Sequence, residues 1–124
     1  MSKATTISTS PEETQALGDI CVELGVLIMS DEIYEKLIYG DTVFKSVASF
    51  SPAHQEHTII VHGLAKAYSM TGWRIGFTAA PAPIAKALGA IQSHSTSNPT
   101  SFAQKGAVAA LQGPQDHLDT WMTE

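Results

Sequence analysis

The stretch HGLAKAYSMTGWRIGF, residues His62–Phe77, decides how this chain is interpreted. It carries Lys66 and, eight residues later, Arg74, the only arginine of the chain. Apolar runs flank both side chains in the sequence, so we expect the two cations to lie between buried segments. Removing a charge from water is costly unless an opposite charge meets it. The stretch therefore predicts either acidic partners within the chain or an anionic ligand.

Length and composition describe an ordinary small globular protein. The 124 residues are enough for one domain, and 44% of them are hydrophobic. The net charge of −5 argues against non-specific nucleic-acid binding, which needs a basic face. No apolar run approaches the roughly 20 residues of a membrane span. Cys21 is the only cysteine, so no internal disulfide can form, and we expect a cytoplasmic location.

The N-terminal part of the sequence predicts a short disordered segment followed by a helix. Residues 1–9 are small and polar, and we expect them to be disordered. Ser10 can cap a helix, and Glu13 completes a capping box with it. The apolar positions then recur at helical spacing up to Leu24. Gly25 is expected to end this helix in the left-handed conformation.

Three further apolar runs predict strands. Val26–Met29 and Ile59–Val61 are continuous rather than alternating, which is typical of strands covered on both faces in parallel sheets. Trp73–Ala80 is a third candidate strand. Between the first two runs we predict a short helical turn over Asp31–Tyr39 and then a loop rich in serine and proline.

The C-terminal half predicts helices. One begins at Pro83, a second covers Ser101–Leu111, and the tail Gln115–Glu124 resembles the first turns of another. The polar stretch Ser93–Thr100 is expected to connect the first two. This order of helices and strands predicts an α/β fold with a mainly parallel sheet.

Parallel sheets bind ligands at the carboxyl ends of their strands. Asp31 follows the first predicted strand and Lys66 follows the second, so we expect both at that edge. Each has an ordinary alternative, because Asp31 could cap a helix and Lys66 could be a solvated loop residue. Arg74 could pair with one of the twelve acidic residues. A nucleotide-binding Walker B strand is excluded, because no G-x-x-x-x-G-K-[ST] motif is present to hold phosphates.

The combination of motifs carries a resemblance. SDEIYEKL, HGLAKAYSMTGWRIGF and SHSTSNPTSFAQ closely resemble the pyridoxal-phosphate-dependent aminotransferases of class I, and in particular their bacterial aspartate aminotransferase branch. The resemblance covers about Ser10–Glu124. It implies that residues 10–124 are a partial pyridoxal-phosphate-binding large domain of the fold-type I transferases. Many relatives have serine where this chain has Ala65, but alanine also occurs in this branch.

The resemblance also implies a role for each of four residues. Lys66 would condense with the aldehyde of pyridoxal 5'-phosphate and would then move the proton of the substrate. Asp31 would keep the pyridine nitrogen protonated. Tyr34 would hydrogen-bond the phenolic oxygen of the ring. Arg74 would hold the phosphate through its planar guanidinium group.

The same resemblance implies substrates, assembly and missing parts. Amino acids and 2-oxo acids are the expected substrates, and a homodimer is the expected full-length assembly, with Ser93–Thr100 near the subunit boundary or simply connecting two helices. Residues 1–9 contain neither the Asn-Pro-Thr-Gly motif nor the ring-stacking aromatic of the family. No second arginine is available for a substrate carboxylate. We therefore expect little activity from the chain alone, marginal stability and self-association.

Three interpretations of the chain remain open at this point. It is an aminotransferase by descent that acts only within a complete enzyme, a non-catalytic fragment or interaction module, or a protein that binds pyridoxal phosphate through lysine without turnover.

Overall fold

The computed structural model describes residues 9–123, and helices and strands alternate along them. The helices and strands are α1 (Pro11–Glu23), β1 (Ile28–Asp31), α2 (Pro52–His57), β2 (Thr58–Gly63), β3 (Gly76–Ala79), α3 (Ala82–Ser95), α4 (Ser101–Gln112) and α5 (Asp116–Thr123). Two short 3-10 helices cover Val47–Ser49 and Thr71–Trp73. The disorder predicted for residues 1–9 concerns residues that, apart from Thr9, lie outside the described ones. No helix among residues 9–123 is both long and apolar enough to cross a membrane.

The three strands form one sheet in the order β1–β2–β3. β1 and β2 run parallel, and Asp31 lies opposite Val61. β3 runs antiparallel to β2, and Gly76 lies opposite Gly63. The α/β fold class is confirmed, but the described sheet is mixed rather than mainly parallel. The reason is the connection between β2 and β3, which consists of turns, whereas a parallel neighbour needs a crossover that is usually a helix.

The prediction that the first strand is covered on both faces is wrong for the described residues. In β1, Ile28 and Ser30 are half-buried, whereas Met29 is 77% exposed. This alternation is typical of a strand with one covered face. The apolar run Val26–Met29 therefore includes positions that face solvent here. The predicted self-association is compatible with such a surface and stays a prediction.

The predicted boundaries of the first helix are confirmed. The backbone N–H of Ser10 donates to Glu13 Oε2 at 2.8 Å, and the backbone N–H of Glu13 donates to Ser10 Oγ at 3.2 Å. This is the reciprocal capping box that the sequence indicates. Gly25 has a φ of +66°, the left-handed conformation expected after the helix.

The region between β1 and β2 differs from the prediction. Asp31–Tyr39 contains hydrogen-bonded turns but no helix. The serine- and proline-rich stretch predicted as a loop contains α2, whose first turn is capped by Ser51 Oγ accepting from the backbone N–H of His54. One short helix of this kind has too few turns to show an apolar period, so the periodicity of the sequence did not reveal it.

The hydrophobic core cluster includes the segment that follows β2. Leu64, Met70 and Ala107 form the central cluster, and Tyr68, Ile75 and Ala110 pack against it. This cluster joins the segment that carries Lys66 to helix α4. The core therefore lies directly beside the candidate site.

Candidate cofactor-binding site

Asp31 and Lys66 lie at the same edge of the sheet. Asp31 is the last residue of β1, and Lys66 comes three residues after β2 ends at Gly63. Because these two strands are parallel, their carboxyl ends meet at one edge. The position of the two residues agrees with the expectation, whereas their chemical roles stay a prediction.

Tyr34 and Lys66 are brought together at this edge. Lys66 Nζ lies 5.5 Å from the centroid of the Tyr34 ring, within the range of a cation–π contact. The Tyr34 side chain is 56% exposed, so its hydroxyl group is open to a ligand. The phenol and the amine thus stand side by side although they are far apart in the sequence.

Thr71 links the turn at Lys66 to Arg74. Its hydroxyl group donates to the carbonyl oxygen of Ala65 at 3.0 Å. Its own carbonyl oxygen accepts from Arg74 Nη1, also at 3.0 Å. The spacing of the two cations is therefore set by a specific residue between them. The sequence did not reveal this role, because a threonine in a turn is an unremarkable residue.

Two residues of the same segment have the left-handed backbone conformation. Ser69 and Arg74 both have a φ of 52°. Such a conformation costs a non-glycine residue on the order of 1–3 kcal/mol and persists only where the surroundings impose it. Leu64, Ala67 and Met70 are buried in the same segment. Strained backbone of this kind concentrates at functional sites.

The two cations are exposed. The expectation that they lie between buried segments holds for Lys66, which buried Leu64 and Ala67 flank, and is wrong for Arg74. Lys66 and Arg74 are both accessible, and β3, which follows Arg74, is exposed at all four positions. Within residues 9–123 the close contacts of basic side chains with carboxylates involve Lys36, His54 and His62, and neither Lys66 nor Arg74 has an acidic partner. The predicted alternative of an acid pairing with Arg74 is not found there. Both cations remain available to an anionic ligand.

Asp31 is also available. Its Oδ1 accepts from the backbone N–H of Ile33 at 3.2 Å. This bond stabilises a turn. Asp31 therefore accepts from a backbone N–H, as the capping alternative expects, but no helix begins there. Oδ2 of Asp31 has no hydrogen-bond partner in the described part of the chain, and it can accept from a ligand.

Arg74 faces an open groove at the connection between α3 and α4. Gly72 and Trp73 line the groove beside it, and the other lining residues come from the end of α3, the connection and the start of α4. These are Gln92, Thr96, Asn98, Pro99, Thr100 and Phe102. The polar stretch Ser93–Thr100 therefore lies close to Arg74, and its first three residues belong to the end of α3.

The chemistry of these side chains fits pyridoxal phosphate. The site offers an amine, a guanidinium group, a phenol and a carboxylate from Lys66, Arg74, Tyr34 and Asp31, all exposed. An aldehyde, a phosphate, a phenolic oxygen and a ring nitrogen would each find a complementary group among them. Four side chains at one end of the sheet thus match the cofactor in the chemical type of their groups.

Comparison with known proteins decides the family. The family model described as aminotransferase class I and II matches residues 3–124. The chain belongs to this aminotransferase family. The aspartate aminotransferase of Geobacillus stearothermophilus is 54% identical over 108 residues, which are 87% of this chain and 28% of that protein. The aspartate aminotransferase of Bacillus subtilis (strain 168) is 50% identical over 118 residues, 95% of this chain and 30% of that protein.

Solved aminotransferase structures share the fold. The aspartate aminotransferase of Rhizobium meliloti superposes with a TM-score of 0.89 and 35% identity, covering 94% of this chain and 29% of that one. The aromatic aminotransferase of Pyrococcus horikoshii OT3 gives a TM-score of 0.88 and 33% identity, and the match covers 94% of this chain and 31% of that one. This aminotransferase chain thus spans less than a third of the length of these relatives.

Proposed function

We propose that this chain forms the lysine-bearing part of a pyridoxal-phosphate site in an enzyme that moves amino groups from amino acids to 2-oxo acids. Relatives named aspartate aminotransferase support aspartate as the amino-acid class. The observation that carries the proposal is the arrangement at one sheet edge. Two cations without an acidic partner among residues 9–123, Lys66 and Arg74, are linked through Thr71, and Lys66 Nζ lies over the Tyr34 ring.

Each side chain has a task that its chemistry suits. When bound, pyridoxal phosphate supplies an aldehyde and a ring that accepts negative charge. Arg74 holds the phosphate, because its planar donor fork matches phosphate oxygens. Asp31 holds a proton on the ring nitrogen through the free Oδ2. Tyr34 donates from its hydroxyl group and orients the ring.

Lys66 serves as the covalent anchor and as the proton carrier. An amine condenses with an aldehyde, and Nζ accepts a proton as the neutral amine and returns it from the ammonium form. The Tyr34 ring limits where Nζ can move, because the contact of 5.5 Å places one face of the phenol against it.

For the chain by itself we propose cofactor binding without efficient turnover. Arg74 is the only arginine of the sequence, and it is assigned to the phosphate. The chain then lacks an arginine for a substrate carboxylate. We propose homodimeric assembly for the complete enzyme, and the cytoplasmic location expected from the sequence stays a prediction. The assignment of residues 10–124 to a partial cofactor-binding domain belongs to the same proposal.

The test is to trap the cofactor on the protein. Purified chain is mixed with pyridoxal phosphate, the imine bond is reduced with borohydride, and the labelled lysine is located by peptide mass spectrometry. We expect label on Lys66 well above that on Lys86 and Lys105, which are exposed lysines of the helices. Equal labelling of the three lysines would contradict the proposal.

A matched pair of ligands tests the role of Arg74. Pyridoxal has the aldehyde of the cofactor but lacks the phosphate. Arg74→Ala is expected to weaken binding of pyridoxal phosphate about tenfold or more, the effect of losing a charged hydrogen bond. The same variant should bind pyridoxal like the unchanged chain. A loss of equal size for both ligands would place the phosphate elsewhere.

A further inference from the structure

Tyr34 belongs to a segment that has no helix or strand to hold it. Glu32–Tyr39 consists of turns, in which the backbone N–H of Glu35 donates to the carbonyl of Glu32 at 3.0 Å and that of Leu37 to the carbonyl of Tyr34 at 2.9 Å. These bonds shape the segment but do not attach it to the sheet. The position of Tyr34 over Lys66 therefore depends on contacts with β2.

Those contacts go to successive residues of β2. The backbone N–H of Glu32 donates to the carbonyl oxygen of Val61 at 2.9 Å. Glu35 Oε1 lies 3.1 Å from His62 Nε2. Among the described residues, this is the only polar contact between side chains that joins the segment to β2, and Glu35 is the residue directly after Tyr34.

The imidazole of His62 is itself fixed in place. It stacks on the Phe77 ring across the β2–β3 pair, with centroids 5.0 Å apart and planes 7° from parallel. Its Nδ1 lies 2.7 Å from the backbone nitrogen of Gly63. Nδ1 also lies 3.2 Å from the carbonyl oxygen of Gly63. The shorter of the two contacts requires Nδ1 to accept, because a backbone N–H can only donate, and the neutral ring then carries its proton on Nε2, next to Glu35 Oε1.

Glu35 has a competing partner. Lys36 Nζ lies 3.7 Å from the same Oε1 that His62 contacts. These are the charged groups that approach the His62–Glu35 pair in the described chain. Without His62, Glu35 can turn towards the solvent-side lysine, and nothing polar then ties the residue after Tyr34 to the sheet.

We propose that His62, acting through Glu35, is the positioning residue that keeps Tyr34 over Lys66. The inference rests on the proposed function for its purpose, because a fixed phenol beside the lysine amine serves cofactor binding. Its structural content is independent of any cofactor. His62 does not touch the reacting groups, and its effect passes through Glu35 to the neighbouring Tyr34.

The first test uses the chain without cofactor. Nuclear magnetic resonance detects the Overhauser contact between the Tyr34 ring protons and the ε-methylene of Lys66. His62→Phe keeps an aromatic ring against Phe77 but removes the donor, and we expect the contact to disappear. His62→Gln retains an N–H donor of similar reach, and we expect the contact to return. His94→Phe, an exposed histidine on α3, is the matched control and should leave the contact intact.

Two results would overturn the inference. One is a Tyr34–Lys66 contact as strong in His62→Phe as in the unchanged chain. The other is the absence of this contact in the unchanged chain while its amide spectrum shows a folded protein. Should His62→Phe fail to fold, Glu35→Ala removes the same bond from the exposed side and takes its place in the comparison.

The second test separates this inference from the proposed function. Cofactor trapping on Lys66 is measured in the unchanged chain, His62→Phe and His62→Gln. We expect about tenfold weaker loading in His62→Phe, with recovery in His62→Gln. If the unchanged chain does not load Lys66, the proposed function fails while the Overhauser contact still decides the inference. If all three load equally and the contact persists, the inference alone fails.

Discussion

The two segments that form the candidate site are held in different ways. The segment from Leu64 to Arg74 carries both cations, and Leu64, Ala67 and Met70 bury it with exposures of 1%, 1% and 7%. The segment Asp31–Tyr39 carries the carboxylate and the phenol, and Glu32 is its only buried residue. Packing fixes the first segment, whereas polar contacts of Glu32 and Glu35 with β1, β2 and Ser46 hold the second.

This difference agrees with the residues of the stretch His62–Phe77, which includes the first segment. Leu64 and Met70 of this segment belong to the central core cluster and Tyr68 packs against it, so packing and the bonds of Thr71 together fix the spacing of the cations. Segments with few buried contacts open locally at lower free energy than packed ones. We therefore expect the two halves of the site to respond differently to substitution.

The largest loss of stability should come from shortening a core side chain in the segment from Leu64 to Arg74. Leu64→Ala is expected to lower the free energy of unfolding by about 2–5 kcal/mol, because it leaves a cavity at a fully buried position. Leu37→Ala is the matched change in the other segment. Leu37 is half-buried, so we expect a loss of about 1 kcal/mol. Urea unfolding of both variants measures the difference, and losses of equal size would contradict the comparison.

The next effect concerns the buried carboxylate of the second segment. Glu32 Oε1 accepts from Ser46 Oγ at 2.7 Å and from Ser30 Oγ at 3.0 Å. Ser46→Ala removes the shorter bond and leaves the buried carboxylate short of a donor, at a cost of about 2 kcal/mol. Hydrogen exchange should become faster in Asp31–Tyr39 and stay unchanged from Leu64 to Arg74.

Ser49→Ala is the control for this change. Its hydroxyl group donates to a backbone carbonyl at the surface, and the loss should stay below about 1 kcal/mol. Faster exchange in both segments of Ser46→Ala would show that they open together, and the comparison would then be wrong.

The sequence predicted the elements that short-range rules control. The capping box of Ser10 and Glu13, the left-handed Gly25 and the helices after Pro83 follow from local hydrogen bonding and periodicity. The shared edge of Asp31 and Lys66 follows from the rule for parallel strands. Each of these inferences needs only residues that are close in the sequence or a general property of sheets.

The rest depended on tertiary contacts that no local pattern encodes. The antiparallel direction of β3, the exposed position of Met29 and the short helix α2 are set by how the elements meet. The bond from His62 to Glu35 joins residues that are distant in the sequence. Neither residue stands out by type or spacing, so the positioning contacts of the site were not predictable from the sequence.

A smaller effect is expected from the link between the two cations. Thr71→Val removes the hydroxyl group that donates to Ala65 and keeps the shape of the side chain. The bond is exposed, so we expect a loss of about 1 kcal/mol in the free energy of unfolding. Thr71→Ser restores the donor and should recover most of the loss. If Thr71→Ser were as unstable as Thr71→Val, the methyl group and not the hydroxyl group would hold the segment.

The smallest change in stability is expected at Glu12, which lies outside both segments. A variant at this position therefore serves as a reference for both. Hydrogen bonds from its own backbone N–H and from the Ser10 side chain hold the pKa of Glu12 below the ordinary 4.5, with a lesser contribution from Lys45. Since the folded pKa is the lower one, the carboxylate stabilises the chain above pH 4.5, and this contribution is lost as the pH falls through the folded pKa. Glu12→Gln should therefore be slightly less stable than the unchanged chain at neutral pH and equally stable in acid. Thermal unfolding at a series of pH values measures this, with hydrogen exchange in the two site segments followed in parallel. A change in hydrogen exchange confined to one segment would show that helix α1 stabilises that segment alone. The difference between the two segments would then depend on helix α1 as well as on core packing and polar contacts.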